Sequence, residues 1–214
     1  MDREALGRSR GGLTTKVHLL ADSCCRPLAR LTSAGQRHDS LAFIPLMSQL
    51  TIAGRDRGRP RTRPGQVLAD KAYSSSAIRA HLRRRGIKAT IPEPADHKAS
   101  RLRRGSKGGR PPAFDCVAYK QRNTVERAFN RLRQHRAVAT RYDKRDFVYR
   151  GTVDVSAIRI WLRDLTQEDL RDTSYGTRPS RLRQAVTLGR SRPAVNSRAS
   201  SHRLSLTEIP RRRS

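Results

Sequence analysis

Residues 66–91, QVLADKAYSSSAIRAHLRRRGIKATI, decide the fold class of this chain. Residues 66–70 have the length and apolar character of a short buried strand, and residues 87–91 have the same character. Between them, residues 74–76 can begin a helix that Gly86 ends. A strand, a helix and a strand in so short a stretch form a crossover unit, which places two parallel strands in one sheet. The sequence therefore predicts an α/β fold.

Two further strands are predicted upstream of this unit. Residues 13–22 and 26–33 are rich in β-branched and apolar residues, with turn-forming residues between them. We expect the two segments to pair as a hairpin. A loop follows at residues 35–39, and Ser40 is placed to cap a helix over residues 41–50.

Two basic loops and two long helices are predicted in the remainder of the domain. Residues 54–65 combine five arginines with prolines and glycines, and residues 101–112 form a second loop of the same kind. A long helical pattern spans residues 115–134, and a final helix covers residues 149–165. These elements predict one domain over residues 1–165.

The character of the chain changes after residue 165. Arginine and serine become frequent, and hardly any periodic apolar pattern remains. Such a composition cannot bury enough apolar surface to offset the entropy of ordering. Residues 166–214 are therefore predicted to be a disordered, basic tail.

The charge of the chain indicates a polyanionic partner. Lysine and arginine total 47 against 18 acidic residues, a net charge of +29. No stretch approaches the roughly 18 apolar residues of a membrane-spanning helix, so nucleic acid is favoured over a membrane. Aromatic residues make up only 5% of the chain, which favours phosphate contacts with duplex DNA over base stacking. In the second basic loop, the expected contacts are Arg103, Arg104, Lys107 and Arg110.

The first residues and the cysteines bear on the compartment. The chain begins without the basic and apolar regions of a secretory signal, so we expect a cytoplasmic, nucleoid-associated protein. Cys24, Cys25 and Cys116 lack the CxxC spacing of a zinc site and are expected to be reduced and structural. The histidines show no ligand spacing such as HxxxH.

The helix predicted over residues 115–134 carries two neighbouring stripes. An apolar stripe, expected to pack on the sheet, consists of Ala118, Val125, Phe129 and Leu132. A polar stripe beside it consists of Tyr119, Arg122, Glu126 and Arg133. Arg122 and Glu126 are spaced i, i+4, so they could be no more than a surface ion pair. Asp70 could likewise serve only to satisfy backbone N–H groups in a turn. In open α/β sheets, however, ligands bind at the carboxyl ends of strands.

These residues resemble bacterial insertion-sequence transposases of the DDE type. The spacing Tyr119-x2-Arg122-x3-Glu126-x6-Arg133 is similar to that family's Tyr, Arg, Glu, Lys signature, with Arg133 in place of the usual lysine. The segment 69–74, Ala-Asp-Lys-Ala-Tyr-Ser, resembles the second motif of the family, whose aspartate is catalytic. Similar linking blocks also occur at 7–16, 35–39, 91–94 and 104–112. The resemblance covers residues 5 to about 165.

The resemblance implies a fold, a cofactor and a set of site residues. It implies an RNase H-like mixed sheet flanked by helices, in which three carboxylates bind two Mg2+ or Mn2+ ions that activate a nucleophile for attack on DNA. Asp70 and Glu126 would be catalytic metal ligands. Tyr119, Arg122 and Arg133 would position phosphate or a carboxylate. Double-stranded DNA and other transposase chains are the implied partners.

The family's first aspartate and the strand that carries it have no counterpart here. That strand lies in the middle of the family's sheet, between the hairpin and the strand ending at Asp70, and precedes the segment that begins at Ala5. We therefore expect an N-terminally truncated chain that lacks the first central strand, holds metal only weakly and is inactive alone. Asp2, Asp22 and Asp39 do not match the missing position.

Three alternatives remain open. A basic, non-enzymatic nucleic-acid-binding protein of the ribosomal kind would prefer structured RNA and would not need Asp70 or Glu126. A metal-dependent nuclease would hydrolyse DNA without joining it to a target. An inactive transposase relic would bind DNA without either reaction.

Overall fold

A computed structural model describes residues 4–9, 12–52, 58–169, 185–191 and 194–195. Within these residues the chain forms a mixed six-stranded sheet with helices on both faces. The strands are β1 Gly7–Ser9, β2 Gly12–Ala21, β3 Pro27–Ala34, β4 Gln66–Ala69, β5 Lys88–Thr90, β6 Thr140–Arg141, β7 Ala185–Ser191 and β8 Ala194–Val195. The helices are α1 Ser40–Ser48, α2 Ser76–Arg84, α3 Ala95–Arg103, α4 Cys116–Lys120, α5 Asn123–Arg133, α6 Arg136–Ala139 and α7 Asp146–Asp169. The predicted α/β class is confirmed.

The predicted hairpin and crossover unit are both present. β2 and β3 pair antiparallel from Thr15↔Ala34 to Ala21↔Pro27. β4 and β5 pair parallel, with Leu68 opposite Thr90. Ser75 caps the intervening helix by accepting a 3.2 Å hydrogen bond from the Ile78 N–H. The helix ends before Gly86, whose φ of +62° suits a residue without a Cβ.

The centre of the sheet is completed by a strand from the C-terminal part of the chain. β7 pairs antiparallel with β2 and parallel with β4, so it lies between the hairpin and β4. This is the position where a missing strand was expected. The prediction of a disordered tail is wrong for this segment, and also for α7, which continues to Asp169. Residues 170–184, 192–193 and 196–214 of that predicted tail lie outside the described residues.

The side chains of β7 match the layers on both faces of the sheet. Val186 and Leu188 are buried with α1 and α2 on one face. On the other face, Thr187 accepts a 2.7 Å hydrogen bond from the Thr124 hydroxyl of α5. A Cβ atom at Gly189 would lie only 2.8 Å from Cγ1 of Val125, so glycine is required for this approach of α5.

Two apolar clusters hold the helices to the sheet. On one face, α1 and α2 bury Phe43, Leu46 and Leu82. On the opposite face, α5 and α7 bury Phe129 and Tyr149 among the strand residues of β2. Among the residues described, every helix is too short or too polar to traverse a bilayer.

Several sequence predictions need correction. Ser40 does not cap α1; Asp39 occupies the cap position, without a side-chain cap bond, and its carboxylate binds Lys16 at 2.9 Å. The segment 101–112, predicted as a loop, begins with the last turn of α3 and continues as a 3-10 turn, Gly105–Gly108. Cys24 and Cys116 are free but exposed, so they are not structural in the sense of core packing.

Candidate active site at the carboxyl ends of the parallel strands

Asp70 lies where β4 ends, at the sheet edge where β5 also ends. Its Oδ1 accepts a 2.7 Å hydrogen bond from the Lys71 N–H and caps the 3-10 turn Lys71–Tyr73. Among the described residues, Oδ2 makes no hydrogen bond, so this second oxygen remains available to a ligand. Asp70 therefore caps the turn through Oδ1, while Oδ2 can still accept a hydrogen bond or bind a cation.

Glu126 reaches the same edge because α5 crosses the sheet over β7. Ala69 is registered with Leu188, which places Asp70 at the level of Gly189, one strand spacing of about 4.8 Å away. Gly189 is in turn the point of closest approach to Val125, the neighbour of Glu126. The first turn of α5 and the end of β4 therefore meet across β7.

The charges of both carboxylates act on the pKa of the Tyr119 hydroxyl. Burial raises the pKa of the Tyr119 hydroxyl, the Arg122 guanidinium lowers it, and the charges of Asp70 and Glu126 both raise it. The Tyr119 ring packs against Phe114, with ring centroids 5.2 Å apart, and the Arg122 guanidinium lies 5.6 Å from the Tyr119 centroid. Arg122 therefore contacts both Tyr119 and Glu126, and together with Asp70 these residues make up the candidate cluster.

Arg122 and Glu126 form the ion pair expected from their spacing. Arg122 Nη2 lies 3.1 Å from Glu126 Oε1, and the Glu126 side chain is 54% exposed. An exposed pair of this kind contributes only about 0.3–0.5 kcal/mol to stability. The pair therefore costs little to open, and the Glu126 carboxylate can exchange Arg122 for another cation.

The helix predicted over residues 115–134 is interrupted at Gln121 and Arg122. Both residues keep helical backbone angles, but the Arg122 and Thr124 N–H groups bond three residues back, to the carbonyls of Tyr119 and Gln121. This tightening to 3-10 geometry separates α4 from α5 and changes the phase between Tyr119 and Glu126. The apolar stripe is confirmed for Val125, Phe129 and Leu132, which are buried, whereas Ala118 is only partly buried.

Arg133 lies at the opposite end of α5 from Glu126. It is exposed in the last turn of α5, seven residues beyond Glu126 and so about 10 Å further along the helix axis. Its charge acts on Tyr149: burial raises the pKa of that hydroxyl, and Arg133 is among the cations that lower it. Arg133 thus influences a buried side chain of α7, the helix that packs against α5.

The second basic segment, residues 101–112, follows β5 in the chain. Arg79 of α2 donates 2.8 Å hydrogen bonds to the Ile91 carbonyl and the Ser74 hydroxyl, which holds the exits of β5 and β4 together. Arg101 of α3 binds both carboxylate oxygens of Glu93, at 3.0 and 3.2 Å, and this hydrogen bonding holds the pKa of Glu93 below its usual value. The four predicted phosphate contacts follow on α3 and the next turns, and all are exposed: Arg103, Arg104, Lys107 and Arg110.

The remaining candidate carboxylates are engaged elsewhere. Asp22 Oδ2 accepts hydrogen bonds of 2.8 and 2.6 Å from the Arg26 guanidinium, and Asp39 is buried against Lys16. Asp2 lies outside the described residues. Within the described part of the chain, no group of three or more His, Cys, Asp or Glu side chains is arranged to hold a metal ion.

Sequence reasoning missed the contacts that fix α4 beside the sheet. Asp115 Oδ1 caps α4 by accepting from the Ala118 N–H at 2.9 Å, while its Oδ2 binds Lys88 of β5 at 3.0 Å. The Asp-x-x-Ala spacing was a visible cap signal. The partner lysine lies 27 residues upstream, and no local pattern identifies it.

With this geometry established, comparison with known proteins identifies the family. The family model described as the transposase DDE domain matches residues 5–151, which is more than half of the chain. The chain therefore belongs to the DDE transposase domain family, as the sequence resemblance indicated.

Two relatives are transposases of insertion sequences. The chain is 28% identical over 151 residues to the transposase assigned to insertion sequence element IS6501 of Brucella ovis, covering 71% of this chain and 100% of the relative. It is also 28% identical over 162 residues to the transposase assigned to IS402 of Burkholderia cepacia, covering 76% of this chain and 68% of that relative. No solved structure matches the chain.

Proposed function

We propose that this chain is a DDE transposase that binds duplex DNA and contributes Asp70 and Glu126 as carboxylates for metal-dependent strand cleavage. The observation that supports this most directly is that the charges of Asp70 and Glu126 both act on the Tyr119 hydroxyl, in a chain that matches the DDE domain. The two carboxylates come from elements 56 residues apart in sequence.

DNA binding is supported by the charge that surrounds this edge. Arg103, Arg104, Lys107 and Arg110 are exposed on a segment held to β5 by the Glu93–Arg101 contact. Cations at such positions contact phosphates and release counterions, which makes binding strongly salt dependent without sequence specificity. The net charge of +29 adds long-range attraction toward the nucleoid.

A divalent metal fits the donor chemistry of the cluster but not a full ligand set. Asp70 Oδ2 and the carboxylate of Glu126 are hard oxygen donors of the kind that Mg2+ and Mn2+ prefer, and they would hold the ion. When bound, such an ion activates water or a 3′-hydroxyl for attack on a phosphodiester. Arg122 competes with the ion for Glu126, and two carboxylates hold it weakly. Tyr119 and Arg122 would position a phosphate beside the two carboxylates.

The central strand supplies no third carboxylate. β7 has the sequence Ala-Val-Thr-Leu-Gly-Arg-Ser, which contains no acidic residue. It completes the hydrogen bonding of β2 and β4 without adding a ligand to the cluster. We therefore propose that a third metal ligand, where strand cleavage needs one, comes from a segment other than β7.

DNA binding is tested by fluorescence anisotropy with a duplex of arbitrary sequence between low and physiological salt. A variant with Arg103→Gln and Lys107→Gln is compared with a matched variant, Arg159→Gln and Arg163→Gln, which loses the same charge from α7. We expect the first pair alone to reduce the salt slope, by up to about 0.9 per residue. Equal slopes for both variants would contradict the placement of the DNA surface.

Catalysis is tested by adding an upstream segment with a strand that ends in aspartate and that takes the place of β7 between β2 and β4. The extended protein should cleave a nicked or end-labelled duplex in the presence of Mg2+, and Glu126→Gln should abolish cleavage while leaving duplex affinity intact. Cleavage indifferent to Glu126→Gln would rule out the proposed ligand. A joined product distinguishes a transposase from a nuclease, which would only hydrolyse.

A basic protein of the ribosomal kind is the competing function, and it is favoured only by composition. It predicts tighter binding to structured RNA than to duplex DNA and no effect of Asp70→Asn. Competition between the two nucleic acids at one salt concentration separates the hypotheses.

A further inference from the structure

Helix α7 is apolar on two opposite faces. One face carries Tyr149, Val153 and Ile160, which are buried against β2 and α5. The other face carries a stripe of exposed apolar side chains that runs the length of the helix. The stripe consists of Phe147, Val148, Val155, Ile158, Leu162 and Leu165.

The spacing of this stripe is that of a coiled-coil seam. Val148, Val155 and Leu162 are seven residues apart, and Gly151, Ile158 and Leu165 form the second series, offset by three. At 100° per residue these positions cover a band roughly 100° wide, centred opposite the buried face. A helix apolar on both sides is stable in water only if both sides are covered.

The exposed area is large enough for a dimer seam. Val155, Ile158 and Leu162 are 68%, 57% and 58% exposed, and Phe147 is 71% exposed. With the accessible areas usual for aliphatic and aromatic side chains, the stripe offers roughly 600 Å2 of surface. This area is larger than that of single apolar residues scattered on a surface, and it approaches the approximately 800 Å2 per partner of a standard interface.

The stripe is also complementary to itself in antiparallel orientation. With a twofold axis between Val155 and Ile158, Val155 of one copy lies opposite Ile158 of the other. Val148 then faces Leu165, and Leu162 faces Gly151, whose missing side chain leaves room for the leucine. Each layer thus pairs a larger with a smaller residue, as a packed core requires.

We propose that α7 pairs with α7 of a second copy of this chain, antiparallel, through the stripe Phe147–Leu165. The flanks of the helix are already used within the copy, because Trp161 Nε1 donates a 2.7 Å hydrogen bond to the Pro27 carbonyl and Asp154 binds Arg30. Among the described residues, the stripe is the apolar surface of α7 that is left uncovered. This inference does not depend on the chemistry at Asp70 and Glu126.

The oligomeric state is measured by sedimentation equilibrium of the full chain from submicromolar to tens of micromolar protein. Because a net charge of +29 opposes association, the dimer should tighten as salt screens the repulsion. Ile158→Gln and Leu162→Gln should each weaken it about tenfold or more, since each removes a buried aliphatic side chain from the seam. Leu102→Gln changes an equally exposed leucine off the stripe and should have no effect.

Cross-linking tests the orientation. With the three native cysteines replaced by serine, a mixture of Val155→Cys and Ile158→Cys chains should cross-link to each other more efficiently than either does to itself. Preferential self-linking of each variant would indicate a parallel pair and contradict the proposed one. A monomer at every concentration and salt, whether the stripe is bare or covered by another part of the same chain, would overturn the proposal.

Discussion

Gly189 is the position where the role of β7 can be tested with one methyl group. In the structure a Cβ at this residue would lie 2.8 Å from Cγ1 and 3.1 Å from Cγ2 of Val125, and 3.5 Å from Phe129 Cε2. Gly189→Ala should therefore push α5 from the sheet, at an overpacking cost of about 1–3 kcal/mol. The reduced entropy of the unfolded chain offsets about 0.5–1 kcal/mol of that cost. The net expectation is a loss of roughly 1–2 kcal/mol, or a Tm lower by about 2–8 °C.

The assay is urea unfolding at submicromolar protein, followed by the fluorescence of Trp161, the single tryptophan of the chain. The matched control is Gly151→Ala: this glycine is exposed in α7, and an added Cβ meets nothing within 4 Å. It should stabilise the protein by up to about 1 kcal/mol, because alanine favours a helix. The same glycine-to-alanine change is thus expected to lower the unfolding free energy at residue 189 and to raise it at residue 151.

A double-mutant cycle identifies the cause of the loss. Val125→Ala removes both Cγ atoms that the new methyl group would meet, so the double variant should recover part of the cost of Gly189→Ala. A neutral or stabilising Gly189→Ala, with no coupling to Val125→Ala, would refute the docking of β7 between β2 and β4.

Three further outcomes follow from the packing and charge of the described residues. Asp39→Ala should destabilise the fold by about 3–5 kcal/mol in chemical unfolding, because it leaves the buried Lys16 ammonium without its carboxylate; a loss below about 1 kcal/mol would contradict that burial. Burial, followed by the charges of Arg85 and Arg84, lowers the pKa of His81 below 6.5, so its contribution to stability is present above pH 6.5 and is lost as pH falls through the lowered value. Unfolding curves should show that the wild type loses unfolding free energy as the pH falls and that His81→Gln loses less. Identical pH profiles for the two proteins would contradict this role of His81. Glu126→Gln should change the unfolding free energy by less than about 0.5 kcal/mol, because its ion pair with Arg122 is exposed; a larger loss would mean that the residue has a structural role.

Local patterns were sufficient for the elements whose partners are near in sequence. The crossover unit and the hairpin could be predicted because turn residues, caps and apolar runs define them within about 25 residues each. The Arg122–Glu126 pair follows from its i, i+4 spacing. The break between α4 and α5 could not be predicted, because Gln121 and Arg122 keep helical backbone angles and only the hydrogen-bond pattern changes there.

Long-range pairings were beyond local pattern. β7 is a short alternation of apolar and small residues inside an arginine-rich region, and its partners are more than 100 residues upstream. The arginine-rich and serine-rich composition around β7 indicated disorder, so the strand at Ala185–Ser191 was not predicted. That Asp70 and Glu126 form one site was predicted from family resemblance alone and stays a prediction; what supports it is that β7, the strand beside β4, packs against the first turn of α5.

Mn2+ binding is the most direct test of whether Asp70 and Glu126 act on one ion. The dissociation constant is measured by electron paramagnetic resonance for the wild type, Asp70→Asn, Glu126→Gln and the double variant, all at one ionic strength. If both carboxylates hold the same ion, each single variant should weaken binding and the double variant should be little weaker than either one. A single variant that binds Mn2+ as the wild type does would show that the two carboxylates do not share a metal and would contradict the proposed active site.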